Sequence, residues 1–576
     1  AAETLSGIHV VAQKSVAAGE TVDFRVSADA PYRIEVARLG WNTEDPGRDW
    51  VVHRTGLLPA APRPVRPGSY VHVERALPSA ALLHEITLEC WVRRKVGGWQ
   101  GLITQHDYPS ACGVGLFVGE DGRAYAYFGD GRGYRSPWMV SGRSKLPLDR
   151  WVHVVATFRN GQVALYVDGL VEASPTLSRS DFVAGSAPLR LGAYGTRGET
   201  GSFLHGDLAM PVIYSRALGA WEVFMRSRAS TITAPRGADV VGCWPLDEEG
   251  GDSVADSSLV RRDGVIVNRG TWMIGGPRFD AARVRRDDTS YDPDLDPKRG
   301  HALRLSPDDL YEVDWPISAR YTIPDDLPSG LFVARIDRPG QDPYHATFVV
   351  RASAARPRAR ILVLCATNTW HAYNDQPFSG ATTAAAYSFY RTHLPAASPN
   401  PSGIPAYQLG LDLPWPSAGP YDQRYTSRGY SHLVRAERFL HVWLEKNGYD
   451  FDLASDADLD ADPTLLDAYP VVMIAGHSEY WSRRAYDAVQ SWVDSGGQLV
   501  VASGNTMFWR VSIEDGVIEC RKLPNTVGGQ AIHGVGELYH THDHARGGLA
   551  REAGMPAWQA TGLECIAYDG DPAPFE

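Results

Sequence analysis

A histidine and a glutamate stand two residues apart in Gly476-His477-Ser478-Glu479-Tyr480-Trp481. A base and an acid at that spacing could share a proton or hold a cation. The run follows Val471-Val472-Met473-Ile474, a short apolar stretch that reads as a buried strand. It precedes Ser482 to Ser495, where Ala485, Val489, Trp492 and Val493 share one helical face. His477 and Glu479 are therefore expected on the sharp turn from strand to helix. In an open α/β sheet, ligands and chemistry gather at the carboxyl ends of strands. Two more strand-like runs end in polar residues suited to the same place. Arg360-Ile361-Leu362-Val363-Leu364 leads to Trp370-His371-Ala372-Tyr373-Asn374, and Gln498-Leu499-Val500-Val501-Ala502 leads to Ser503-Gly504-Asn505. One sheet edge is thus expected to present Tyr373, His477, Glu479 and Asn505.

Two other patterns compete for attention. His540, His542 and His544 would put three imidazoles on one face of a strand, which is a zinc-like arrangement. Asp543 and Arg546 in the same run favour a polar loop instead. Gly476-x-Ser478 is half of a nucleophile elbow, but Tyr480 occupies the position where that motif needs its second glycine.

The elements that must position these residues belong to a long chain. With 576 residues, and domains of about 150 residues each, three or four domains are expected. Hydrophobic residues at 44 % and charged residues at 22 % fit an ordinary globular composition. No apolar stretch approaches the roughly 18 residues of a membrane span. The net charge of −12, without a basic cluster interleaved with aromatics, argues against nucleic acid as a partner. The six cysteines are scattered without a Cys-x-x-Cys pair, as expected for buried thiols in a reducing compartment. Ala1-Ala2-Glu3-Thr4 shows no signal-peptide pattern. The expectation is a cytoplasmic protein or a chain already processed.

Residues 1–66 open with period-two runs at 7–11, 21–26 and 32–36, and matching runs recur at 330–336 and 345–350. A small β-sandwich, made of 1–66 and 279–353 and split by an insertion, is expected. The insertion, 67–278, is all-β by pattern. Arg150-Trp151-Val152-His153-Val154-Val155-Ala156-Thr157-Phe158 and Leu165-Tyr166-Val167-Asp168-Gly169 resemble a laminin-G/concanavalin-like jelly roll. So do Gly206-Asp207-Leu208-Ala209 and Cys243-Trp244-Pro245-Leu246-Asp247. Such a domain could bind sugar or serve as a spacer or subunit contact. After Ala355-Arg356-Pro357-Arg358, strands alternate with helices, so 354–576 is expected to be an α/β domain, its carboxyl end open to continuation.

Together, Thr369-Trp370-His371-Ala372-Tyr373-Asn374, Gly476-His477-Ser478-Glu479-Tyr480-Trp481 and Ser503-Gly504-Asn505-Thr506-Met507-Phe508-Trp509-Arg510 resemble the N,N-dimethylformamidase large (beta) subunit family. Arg546-Gly547-Gly548-Leu549 adds a weaker match. The resemblance implies a glutamine-amidotransferase-like C-terminal α/β fold and amide hydrolysis with one iron held by two tyrosines and a glutamate. Carried over, Glu479 is the carboxylate ligand and Tyr373 the first phenolate. Tyr430 is the second, although Gly429 stands where the family pattern has proline, and Tyr425 and Tyr421 compete for the role.

Three hard anionic oxygens neutralise a 3+ ion, so ferric iron is expected. Lowering the pKa of a bound water from about 15.7 towards 7 is worth ~12 kcal/mol, at about 1.36 kcal/mol per unit. His477 is then expected to act as base or orienter of the attacking water. Asn505 could donate to the developing oxyanion. Lys522 could do the same, or could be a surface lysine. The expected activity is cleavage of a small N-substituted formamide to formate and an amine, in an oligomer with or without a small companion subunit. The competing expectation is a carbohydrate-binding or adhesion protein whose α/β domain carries no chemistry.

Overall fold

The computed structural model describes residues 2–78, 82–107, 109–133, 138–196, 199–279, 301–374, 406–421, 433–522 and 539–564. Strand is the predominant regular structure of the described chain. Two eight-stranded antiparallel sheets face each other across the largest core, which Val71, Leu88, Leu116, Phe128, Val154, Leu189, Ile213, Trp244 and Leu303 help to fill. Alternation explains the pairing. In Glu85–Arg94 and Val152–Arg159, Leu88 and Val154 face this core, whereas Glu89 and His153 point to the other side. Hydrophobic alternation is what fixes such a register. The sheet that holds these two strands is completed by His301–Leu305, which pairs with Gly206–Tyr214 and Thr271–Ile274. That strand lies past 278, the expected end of the insertion. It falls in 279–353, the stretch expected in the sandwich, and its pairing partners place it in this sheet instead.

The strands flanking the insertion share sheets with one another. Thr21–Ala28 pairs with Ala319–Thr322, and Arg33–Arg38 pairs with Gly330–Asp337. Val22, Phe24, Ile34, Phe332 and Phe348 form their common core.

The C-terminal part holds a four-stranded parallel sheet. Its strands are β1 (Ile361–Cys365), β2 (Phe451–Ser455), β3 (Val471–His477) and β4 (Gln498–Gly504). Their spatial order is β2-β1-β3-β4, all parallel. The helices are α1 (Thr367–Ala372), α2 (Val434–Lys446), α3 (Asp456–Ala461) and α4 (Arg483–Asp494). Successive residues of β1 bury on opposite faces, as a doubly covered parallel sheet requires. Leu362 and Leu364 pack with Ala485, Tyr486 and Val489 of α4. Val363 and Cys365 pack with Val434 and Leu444 of α2 and, beyond them, with Ala37 and Val333 of the sandwich. The chain order reverses between β1 and β3, and such a switch point opens a crevice at the strand ends.

Sequence periodicity places α4 and the strands β1, β3 and β4. It leaves out β2 and the short helices α1 and α3, and one further element at the site itself. Between Glu479 and α4, Tyr480–Ser482 forms a short strand parallel to Trp509–Glu514. The turn after β3 therefore leads into a second, small sheet rather than straight into the helix. Among the described residues, no helix is long and apolar enough to cross a membrane.

Candidate active site

The residues after β1 and β3 meet at the switch point. Helix α1 starts directly after β1, and Ala366, its N-cap, offers no side-chain cap. Asp456, at the start of α3, takes that place. It accepts from Thr367 Oγ1 at 2.7 Å and from the Asn368 amide at 3.2 Å. Burial pushes the Asp456 carboxyl up to about 7. At the other end of α1, Tyr373 is the C-cap residue.

The turn after β3 is held from three sides. The Glu479 amide donates to Thr369 Oγ1 of α1 at 3.0 Å. The Ser478 amide donates to Ser503 Oγ of β4 at 2.9 Å. The Glu479 carbonyl accepts from the amides of Phe508 and Trp509 at 2.9 and 2.8 Å. A turn tied to this extent presents its side chains in one orientation. Glu479 is 3 % exposed and Tyr373 6 % exposed. The Tyr373 hydroxyl donates to the Glu479 carboxylate, 2.9 Å from Oε1 and 3.2 Å from Oε2.

His477 ends β3 with its side chain 34 % exposed and Nδ1 3.5 Å from Glu479 Oε1. It pairs in register with Gly504. A Cβ on Gly504 would come within 2.9 Å of the imidazole, so only glycine leaves the ring its place. Asn505, the next residue, is exposed and has a left-handed backbone at φ 49°. Asparagine tolerates that region better than most side chains.

Lys522 is 1 % exposed. Its ammonium donates to the Tyr480 hydroxyl and lies 4.5 Å over the Trp509 ring. Burial lowers it to about 8, against the opposing pull of Cys520 and Glu479. The surface-lysine alternative is thereby excluded. The Tyr480 ring packs edge-on against Tyr373, their centroids 6.4 Å apart, while its hydroxyl accepts from Lys522. Tyr480 was not among the residues singled out by sequence. Its only signal there is its place next to Glu479.

Tyr430 and Tyr425 lie outside the described residues. Tyr421 does not fit a ligand role. It donates to Asp49 and accepts from Arg335 Nη2 at 3.1 Å, both in the sandwich. Burial, reinforced by Asp49, pushes its phenol up to about 12. Ser478 is no free nucleophile either, because its buried hydroxyl accepts from the Trp481 indole at 3.0 Å. The three histidines also part company. His540 and His542 flank the Ser512 hydroxyl at 2.6 and 3.1 Å, while His544 points to Glu249, 3.5 Å away. Among the described residues, no three His, Cys, Asp or Glu side chains converge on one point.

The family model for the N,N-dimethylformamidase beta subunit-like C-terminal region matches residues 276–575, which hold every residue of this site. The chain belongs to that family. A second model, for the concanavalin A-like lectin/glucanases superfamily, matches residues 66–224. The N,N-dimethylformamidase beta subunit of Paracoccus aminophilus is 26 % identical over 629 residues, covering 96 % of this chain and 79 % of that protein. The beta subunit from Alcaligenes sp matches to the same extent. Among solved structures, an SAP-like pentraxin from Limulus polyphemus has a TM-score of 0.25 at 13 % identity, covering 40 % of this chain and 94 % of its own. The Ruminococcus gnavus IT-sialidase CBM40 has a TM-score of 0.23 at 12 % identity, covering 27 % of this chain and 95 % of its own. Scores this low carry no argument about function.

Proposed function

We propose that this chain hydrolyses small N-substituted formamides, such as N,N-dimethylformamide, to formate and an amine. The observation that carries the reading is the buried oxygen pair of Tyr373 and Glu479 at the switch point. Family membership and the name of the two curated relatives support the reaction class.

The donor set fits a hard trivalent cation. Phenolate and carboxylate are both hard oxygen ligands, and a phenol that titrates near pH ~10 gives up its proton only to a strong local charge. Tyr373 and Glu479 would hold one ferric ion, with Tyr430 or Tyr425 as the third anionic ligand. When bound, the ion supplies Lewis acidity towards the amide carbonyl and towards water. His477, half open to solvent beside Glu479, takes the proton of the attacking water and returns one to the leaving amine. Lys522 and Asn505 stabilise the anion that develops on the carbonyl oxygen. Trp509 and Tyr480 keep bulk water from Lys522, which strengthens each of these interactions.

We further propose assembly with other subunits, supported by the relatives' name as a beta subunit. Elemental analysis of the purified chain tests the function. About one iron per chain, with a phenolate-to-iron band in the visible and formate release from dimethylformamide, supports it. A colourless, iron-free protein that binds sugar would replace it with the lectin reading.

A further inference from the structure

Glu437 lies on α2, 1 % exposed, and neither the sequence pattern nor the proposed chemistry uses it. Its surroundings set it apart from an ordinary helical glutamate. Oε1 accepts from the indole of Trp370, at 2.6 Å, in the middle of α1. Both carboxyl oxygens also lie 3.4 Å from the Ala366 amide, at the end of β1. On its other side the Glu437 Cγ fills the space over Gly476. A Cβ on Gly476 would sit 2.8 Å from it, and Gly476 has φ +69°. Glycine at 476 thus has two reasons to be there: its backbone conformation and the glutamate stem pressed against it.

We propose that Glu437 is a positioning residue. It ties α1, which carries Tyr373, to the end of β3, which carries His477 and Glu479, and so sets the separation of the Tyr373 and Glu479 oxygens.

Trp370 is fully buried and three residues before Tyr373 in the same short helix, so fixing its indole fixes the helix. Gly476 is three residues before Glu479. One side chain therefore touches both arms of the oxygen pair without touching either oxygen. Burial, with Asp456 adding repulsion, holds the Glu437 carboxyl well above the usual carboxylate range. A neutral acid in this place acts through shape and hydrogen bonds, which glutamine reproduces. Groups that orient metal ligands from behind typically affect metal affinity by about 10–100-fold when removed.

The inference relies on the metal reading for one assay only. The test uses the full chain as wild type, Glu437→Gln, Glu437→Ala, Gly476→Ala and the double variant Glu437→Ala/Gly476→Ala. The measurements are iron retention against a chelator, thermal midpoint, and kcat and KM for dimethylformamide. Glu437→Gln is expected to stay within about twofold of wild type in each kinetic and metal measurement. Glu437→Ala, folded by circular dichroism at room temperature, is expected to lose about 10–100-fold in iron affinity, with kcat falling more than KM rises. Gly476→Ala should show a similar loss. The double variant should be less impaired than the product of the two single losses, because removing the Cγ makes room for the new Cβ. Wild-type iron affinity and kcat in Glu437→Ala would overturn the proposal. So would a Glu437→Gln as impaired as Glu437→Ala, or strictly multiplicative losses in the double variant. If wild type binds no iron, the metal reading fails by itself, and the coupling of the two substitutions in kcat and thermal midpoint still decides for or against Glu437.

Discussion

Buried charge is treated in opposite ways by the jelly roll and by the parallel sheet. In the jelly roll, Glu89 is as buried as any residue of the site, yet it is fully matched. It bonds His153 Nε2 at 2.8 Å, the Tyr214 hydroxyl at 2.9 Å and Arg226 Nε at 2.7 and 2.9 Å. Burial pushes its carboxyl up, but His153 and Arg226 outweigh this and bring it to about 2. Asp207 is matched likewise by Arg93 and Arg304. At the switch point hydrogen bonds oppose burial at Asp456 and Glu437 but do not outweigh it. Burial dominates, lowering Lys522 to about 8, raising Asp456 to about 7 and holding Glu437 well above its ordinary value. Equal burial with opposite outcomes separates charges that hold sheets together from charges held ready for a ligand or a proton.

Substitutions on the two sides should therefore fail differently, and the largest effect belongs to the site. Glu479→Ala removes one anionic donor, so it should lose most of its iron and drive hydrolysis below detection while the far-ultraviolet spectrum is unchanged. Full iron retention, measured by elemental analysis, would remove Glu479 from the ligand set. His477→Ala should keep the iron and its colour but lower kcat by about 10²–10⁴, the usual size of a general-base contribution. Loss of iron in that variant would make His477 a ligand, and full activity would leave it a structural residue.

On the jelly-roll side, Glu89→Ala strands Arg226 and His153 in a buried place. Breaking a buried pair costs about 3–5 kcal/mol, so denaturant titration should show a loss of that order, with kcat per folded molecule unchanged. A fall in kcat would mean that the jelly roll takes part in the chemistry.

The most gradual effect concerns pH. The folded state keeps the Asp456 proton up to about pH 7, whereas an unfolded chain releases it near 3.9. Between those values the folded state binds more protons, so raising the pH costs stability, by at most about 1.4 kcal/mol per unit through this group. The contribution is complete below the unfolded value and lost as pH rises through the folded one. Asp456→Asn should flatten the stability–pH curve between about pH 4 and 7. An unchanged slope would show that Asp456 is ionised in the fold.

Much of this was legible in the chain. Alternating and continuous apolar runs located strands of the sandwich and the jelly roll and β1, β3 and β4, because burial on one face or two leaves a period in the sequence. The Gly-His-Ser-Glu run was legible because polar groups at the end of a buried strand have no packing reason to be there. What stayed hidden depends on contacts distant in sequence. Tyr480–Ser482 is too short to show a period, and its partner strand lies 29 residues further along. His301–Leu305 belongs to a sheet whose other members precede it by wide intervals. Glu437 sits in an amphipathic helix where a glutamate attracts no notice, and only the approach of Trp370 and Gly476 gives it meaning. Lys522 was ambiguous between surface and interior until its cover by Tyr480 and Trp509 was seen. Arg521 beside it donates to the Trp272 carbonyl of the jelly roll at 2.8 Å, a tie between the two regions that no local pattern announces.

The central claim is that Tyr373 and Glu479 are a ligand pair, and the visible spectrum of Tyr373→Phe beside wild type tests it most directly. The substitution deletes one oxygen with almost no change in volume. Wild type should carry about one iron per chain and a phenolate-to-iron absorption band, and Tyr373→Phe should lose most of that band together with hydrolysis. An iron-loaded Tyr373→Phe with an unaltered band, or a wild type that hydrolyses dimethylformamide without any metal, would contradict the account.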